Sequence, residues 1–239
     1  MHEKQKYFFI SDAHLGAEKN EEIKKKKLIS FLNFINKKNN TIFIIGDLFD
    51  FWFEYKYVIP NKNFSILCML NKMINNGVKI KYITGNHDFW IGDFFKNMGI
   101  EIFRDPIFIS LNNKKFYIAH GDGLLKADHG YKILKKILRN PLNIKLYRLI
   151  HPDIGIALAH LFSNLSRTKK NKNYEDKYIN FARNKFKNGI DYMIFGHTHI
   201  PLEFTEKEKK LINIGDWINH FTYGYFENNN LELKKWNER

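Results

Sequence analysis

The sequence predicts an α/β fold, on three observations. Short apolar runs alternate with segments of helical period. Five of those runs each stop at a polar side chain able to bind a metal. With 239 residues, 44% of them hydrophobic, the chain suits a single domain with a sizeable core.

Each element has its own warrant. Residues 6–10 (KYFFI) read as a buried strand that stops at Ser11–Asp12. Residues 21–37 place Ile23, Leu28, Phe31, Leu32 and Ile35 at a helical period. Residues 41–45 (TIFII) are a second strand, ended by Gly46–Asp47. Residues 63–75 read as a helix with Ile66, Leu67, Leu70 and Ile74 on one face. Cys68, among them, is expected to be a small core residue rather than a reactive thiol. Residues 78–83 (VKIKYI) form a third strand, ended by Thr84–Gly85–Asn86. Residues 100–119 suggest further strands turning at Asn112–Asn113, the last ending at His120. Beyond a helical middle, residues 191–195 form a strand that ends at Gly196–His197. Residues 209–215 and 221–236 close the chain as β structure, with a turn near Asn228–Asn230.

Composition bounds the function. Thirty-nine Lys and Arg against 25 Asp and Glu give a net charge of +14, which favours anionic partners such as nucleic acid, nucleotide phosphates or an anionic bilayer. A chain crowded with Lys, Asn and Ile also becomes basic by compositional bias alone. The distribution says more: residues 126–170 hold ten basic side chains and two acidic ones, +8 of the total. Cys68 is the only cysteine, which excludes an intrachain disulfide and a cysteine zinc cluster. The N-terminal pattern is not that of a signal peptide, and no run approaches the ~20 apolar residues of a membrane span. The expectation is a soluble, intracellular protein.

The strand ends supply Asp12-x-His14, Gly46-Asp47-x-x-Asp50, Gly85-Asn86-His87-Asp88, His120-Gly121-Asp122 and Gly196-His197-Thr198-His199. Sites in open α/β sheets form beyond the carboxyl ends of strands, so these groups are expected to converge. Imidazoles, carboxylates and one amide oxygen suit borderline divalent metals such as Mn²⁺, Fe²⁺ or Zn²⁺. Singly each motif is weak. Their joint order, each at the end of an apolar run, is not.

These five blocks resemble the calcineurin-like metallophosphoesterase superfamily over nearly the whole chain. The resemblance implies a β-sandwich flanked by helices (αββα) over residues 1–239, with a helical cap inserted at 123–187. It also implies two divalent cations, one held by Asp12, His14, Asp47 and His199 and the other by Asp47, Asn86, His120 and His197. Asp47 would bridge them, and the reaction would be hydrolysis at phosphorus by metal-activated water. By the same resemblance His87 contacts the phosphate and protonates the leaving group. Asp88 either orients His87 or caps a helix starting at Phe89. Asp50 and Asp122 could likewise orient a ligand or simply cap a turn.

The gap from His120 to His197, 77 residues, is about twice those between the other ligand blocks and coincides with the basic segment. Tyr131, Leu134, Ile137 and Leu138, then Ile154, Leu158, Leu161, Phe162 and Leu165, repeat at helical spacing with basic residues between them. Such a cap suits a phosphate-bearing lipid and an anionic bilayer, or it is simply packed on the core with its lysines in water. The stretches DLFDFWFE (47–54) and HGDGLLKADHGY (120–131) resemble the UDP-2,3-diacylglucosamine hydrolase branch, peripheral membrane enzymes of lipid A biosynthesis. That implies a UDP-linked diacylated sugar as substrate, Mn²⁺ as the usual cation, and a cytoplasmic protein attached to the inner membrane surface with no stable nucleic-acid partner. By position, Asp128 and Tyr131 would line the sugar and acyl pocket, and Ser166, Arg167 and Lys170 would contact phosphate or sugar. His87 stands where the best-known members carry Arg, which marks a divergent branch. Trp52, Phe53 and Trp90 are expected to be either pocket walls or core aromatics. The competing readings are a phosphodiesterase for other nucleotides or nucleic acid, and a non-catalytic scaffold. The latter predicts missing ligands, whereas all seven positions are filled.

Overall fold

The computed structural model describes residues 5–16, 21–124, 135–166 and 174–237. In chain order the first half contains β1 (Tyr7–Ile10), α1 (Glu21–Ile35), β2 (Thr41–Ile45), α2 (Phe64–Asn75), β3 (Lys79–Ile83), α3 (Phe94–Met98), β4 (Glu101–Phe103), β5 (Ile107–Leu111) and β6 (Lys114–Ile118). The second half contains α4 (Pro141–Tyr147), α5 (Pro152–Ser166), α6 (Tyr174–Lys187), β7 (Tyr192–Phe195), β8 (Pro201–Glu206), β9 (Lys209–Ile214), β10 (Thr222–Glu227) and β11 (Asn230–Lys235). One sheet has the order β11-β10-β1-β2-β3-β4 and the other β5-β6-β7-β9-β8.

Alternation along each strand builds the layers. Phe8 and Ile10 of β1, with Ile42 and Ile44 of β2, pack against Leu28, Phe31 and Leu32 of α1 and Leu70 and Met73 of α2. Tyr7, Phe9, Phe43 and Ile45, one residue out of step, face Phe116, Ile118, Ile194 and Ile212 of the second sheet. The second sheet's outer face carries Tyr117, Met193, Phe195 and Leu211, and Tyr178, Ala182 and Phe186 of α6 cover it. The order of layers is therefore helix, sheet, sheet, helix. Strands buried on both faces must be apolar at every position, which is why TIFII reads as an unbroken run. The β5–β6 and β10–β11 turns place Asn112, Asn113, Asn228 and Asn229 at positive φ, a conformation that asparagine tolerates.

Some expectations need correction. Ile23 is 56% exposed, whereas Lys24 beside it is 2% exposed, so the buried stripe of α1 begins one residue later than the apolar residues suggested. Cys68 is exposed on the outer side of α2. Strand β8 escaped the sequence because it is an edge strand, paired only to β9 and carrying exposed polar residues. Trp52 and Phe53 are core aromatics: Trp52 packs on Phe49 and Phe95.

Between β6 and β7, α6 belongs to the sandwich, although it falls inside the expected insertion 123–187. Residues 135–166 do not. Asn140 caps α4 by accepting from the Leu142 amide, with Pro141 at the first turn. Tyr147 stacks on Trp90 (centroids 5.6 Å apart, 16° between planes) and lies 4.7 Å from the Phe53 ring. The Trp90 indole donates to the Leu138 carbonyl at 3.0 Å. These contacts seat the segment on the 51–55 loop, directly after Asp47 and Asp50. Leu142, Leu146, Leu149, Ile154 and Leu161 of this segment are exposed. No helix among the described residues is long and apolar enough to cross a membrane.

Candidate metal centre

The parallel strands β1, β2 and β3 of one sheet, and β6 and β7 of the other, deliver the five motif blocks to one rim. Backbone hydrogen bonds knit the loops there: the Asp12 amide to Gly46 O (3.1 Å), His14 to Asp47 O (3.0 Å), Gly196 to His120 O (2.9 Å) and Trp217 to Asp12 O (3.1 Å). Asp12, His14, Asp47, His197 and His199 all have positive φ, between 43° and 69°. Non-glycine residues rarely adopt this conformation, and its clustering at one place marks a functional site. Glycine is required where the loops touch. A Cβ on Gly85 would stand 2.1 Å from Asp47 Oδ1, and one on Gly196 would stand 2.5 Å from Asp12 Oδ2.

Three groups of ligand atoms converge, and two of them match the expected sites: Asp12, His14 and His199 in one, and Asp47, His120 and His197 in the other; the third is His14 with Asp50 and His87. Asp12 Oδ2 accepts from the His197 amide at 2.8 Å. Its Oδ1 is left facing the Nε2 atoms of His14 (3.8 Å) and His199 (3.6 Å). Asp47 Oδ1 accepts from the His87 amide at 2.9 Å. Its Oδ2 lies 3.7 Å from His14 Nε2 and 3.3 Å from His120 Nε2, between the two groups. Asn86 Oδ1 is 3.1 Å from His120 Nε2.

The donor set fits divalent cations. Asp12 Oδ1 and His14 Nε2 are buried without a hydrogen-bond partner, and a buried polar atom left so is costly. The His120 Nδ1 lies 2.8 Å from the Ile45 carbonyl, which can only accept, so Nδ1 carries a proton. Its Nε2 then faces two oxygens, Asp47 Oδ2 and Asn86 Oδ1, an arrangement that a positive charge satisfies. Without a cation, that charge is a second proton. Burial disfavours it, but Asp47 and Asp12 hold His120 well above the usual histidine range. In the same way burial would raise the Asp47 carboxyl, yet His120 alongside holds it well below the carboxylate range. Burial, with His120 alongside, pushes His197 down to about 4.

Supporting groups orient the imidazoles. Asp50 Oδ1 lies 3.3 Å from His14 Nδ1, and its carbonyl accepts from His87 Nδ1 at 2.8 Å. Burial pushes His87 down to about 4, so its ring is neutral. Asp88 does not orient His87 and caps no helix at Phe89. Its carboxylate accepts from Gly85 N (2.8 Å), Leu48 N (2.9 Å) and the Tyr82 hydroxyl (2.5 Å), tying the β2 and β3 loops together. Burial, with Asp47 nearby, raises it to about 6. Asp122 pairs with Lys135 at 2.6 Å, linking the His120 loop to the helical segment.

Sequence reasoning missed Asp216. Its Oδ2 is 3.4 Å from His199 Nδ1, while Oδ1 accepts from the amides of Asn219 and His220, both at 2.9 Å. Burial would raise it, but His199 and those amides hold it below the carboxylate range. The signal was present: Gly215–Asp216 follows β9 as Gly46–Asp47 follows β2. Asp128, Tyr131, Arg167 and Lys170 lie outside the described residues. Ser166 is the last residue of α5.

The calcineurin-like phosphoesterase family profile matches residues 6–201. A UDP-2,3-diacylglucosamine hydrolase of Porphyromonas gingivalis is 31% identical, the match covering 97% of each chain. One of Neisseria meningitidis serogroup B is 31% identical over 90% of each chain. Among solved structures, an archaeal phosphodiesterase aligns with a TM-score of 0.48 at 16% identity, covering 96% of this chain and 99% of its own. On the reach of the profile and the identity to these relatives, the chain belongs to the calcineurin-like phosphoesterase family.

Proposed function

We propose that this chain hydrolyses the pyrophosphate of UDP-2,3-diacylglucosamine, giving UMP and 2,3-diacylglucosamine 1-phosphate. The observation that carries the substrate assignment is the relative of that name matching 97% of the chain, a span that cannot omit the helical segment between His120 and His197. The converging ligand atoms supply the chemistry.

Asp12, His14, Asp47 and His199 would hold one divalent cation, and Asp47, Asn86, His120 and His197 the other, with Mn²⁺ as the expected ion. When bound, such a pair makes water acidic enough to attack phosphorus near neutral pH and offsets the charge building on the phosphoryl oxygens. The chain's own residues do the rest. Asp47 Oδ2, facing both groups, suits it to the bridge. Asp50 and Asp216 fix the imidazoles of His14 and His199 so that Nε2 points inward. His87, anchored at Nδ1, turns Nε2 towards incoming phosphate, whose negative charge favours protonation there and transfer of that proton to the departing oxygen.

The helical segment is proposed as a cap over this rim that also rests on an anionic bilayer. Lys145 and Arg148 are exposed among Leu142, Leu146 and Leu149, the mixture an interfacial helix presents. That interleaving favours lipid over nucleic acid, whose backbone calls for basic residues without exposed leucines between them. Asp128, Tyr131, Ser166, Arg167 and Lys170 remain the proposed sugar, acyl and phosphate contacts.

The test is release of UMP from UDP-2,3-diacylglucosamine by the purified protein with Mn²⁺. No UMP, alongside brisk cleavage of bis-p-nitrophenyl phosphate, would remove the substrate assignment and leave a phosphodiesterase of other specificity. Steeply salt-dependent binding to RNA or DNA would then identify a nucleic-acid substrate.

A further inference from the structure

The amphipathic period of α1 places position 24 one turn before Leu28 and two before Phe31, on the face that packs against the first sheet. Lys24 occupies it. Lysines 25–27 remain at least partly solvent-accessible, whereas Lys24 is 2% exposed. An apolar side chain would suit that interface better, since burying an ammonium is costly. A local rule broken in this way points to function.

The charge is directed at the first ligand loop. Lys24 Nζ donates to the His14 carbonyl at 3.0 Å and to the Ala13 carbonyl at 3.4 Å. Glu21 lies 3.5 Å from the ammonium, and its other oxygen accepts from the Gly16 amide at 3.0 Å. Glu21 and Lys24 thus grip the loop from beneath, along residues 13–16. The loop needs holding, because Asp12 and His14 both sit at positive φ, with Oδ1 and Nε2 buried and without hydrogen-bond partners.

We propose that Lys24 is a positioning residue for the cation site of Asp12, His14 and His199. It holds the two ligand-bearing residues in their left-handed conformation by binding the carbonyls between and beside them. This rests on the two-cation reading of the rim.

The test compares wild type with K24M by Mn²⁺ calorimetry and by thermal melting in chelator. The expected result is that K24M melts no lower than wild type, since an apolar side chain fills the interface. It should bind one of its two Mn²⁺ ions about tenfold more weakly, as loss of an outer-shell partner does. Its turnover should fall and recover in excess Mn²⁺. K24Q, which keeps a donor, should bind with intermediate affinity, and it replaces K24M in the comparison if K24M does not fold. Unchanged Mn²⁺ affinity, with or without a lowered melting temperature, would overturn the proposal while leaving the two-cation reading intact. A wild-type protein that binds no Mn²⁺ sinks that reading, and the role of Lys24 with it.

Discussion

The metal rim and the helical segment of residues 135–166 depart from the usual rule of burial in opposite directions. At the rim, charged groups are inside: Asp12 is 0% and Asp47 1% exposed. In the segment, apolar groups are outside: Leu142 is 63% and Leu149 83% exposed. Each inversion is costly in water unless something compensates. At the rim most of the compensation is internal, in backbone amides, paired imidazoles and the Glu21–Lys24 clamp, with two ligand atoms left for cations. For the segment, the described residues supply none of it, and the proposed compensation is another phase, lipid. Polar groups held without water mark where chemistry occurs, and apolar groups left in water mark where the protein meets something else.

Four measurements break or sharpen that contrast, in descending order of effect. D47A removes the group between the two ligand sets and should eliminate most of the acceleration, which for an ordinary enzyme is ~10⁶-fold or more. Its circular dichroism should remain native; retained UMP release would end the bridging role. H87A should lower kcat by about 10²- to 10⁴-fold on the natural substrate. The loss should be far smaller with a p-nitrophenyl leaving group, which needs no proton, and equal losses on both would deny His87 the role of acid. D216N keeps the shape but weakens the grip on His199, so Mn²⁺ affinity should fall by roughly 10- to 100-fold. An unchanged calorimetric titration would reduce Asp216 to a turn residue. K145Q/R148Q should weaken binding to anionic vesicles by roughly 30-fold, at about 1 kcal/mol for each charge, with the difference fading in high salt. Cleavage of a soluble short-chain substrate should not change, and a matching loss there would place these residues in the site instead of on the membrane.

Much of the rim was legible because its residues follow strands that bury both faces. An unbroken apolar run such as TIFII has few alternatives, and a polar residue directly after it stands at a strand end. Asp216 was harder to recognise, since its strand β9 begins with lysines and its Gly-Asp resembles an ordinary turn. Strand β8 was missed because an edge strand in water needs no hydrophobic pattern. Ile23 and Cys68 were misplaced for a common reason: helical period alone tolerates a slip of one residue, and only the partner surface decides which stripe is buried. Asp88 illustrates a further limit. Its neighbour His87 suggested a partnership, but the carboxylate turns instead to Leu48 and Tyr82, the former in another loop of the rim.

Most of the order of strands and helices, the identity of most ligand-type residues and the concentration of charge between His120 and His197 follow from the sequence alone, because each is a local pattern or a count. Which carboxylate oxygen faces which imidazole, which lysine is buried and which leucines remain in water were decided only by the tertiary structure. Those are relations between segments up to 185 residues apart, such as the His197 amide on Asp12, and no periodicity within a single segment encodes them.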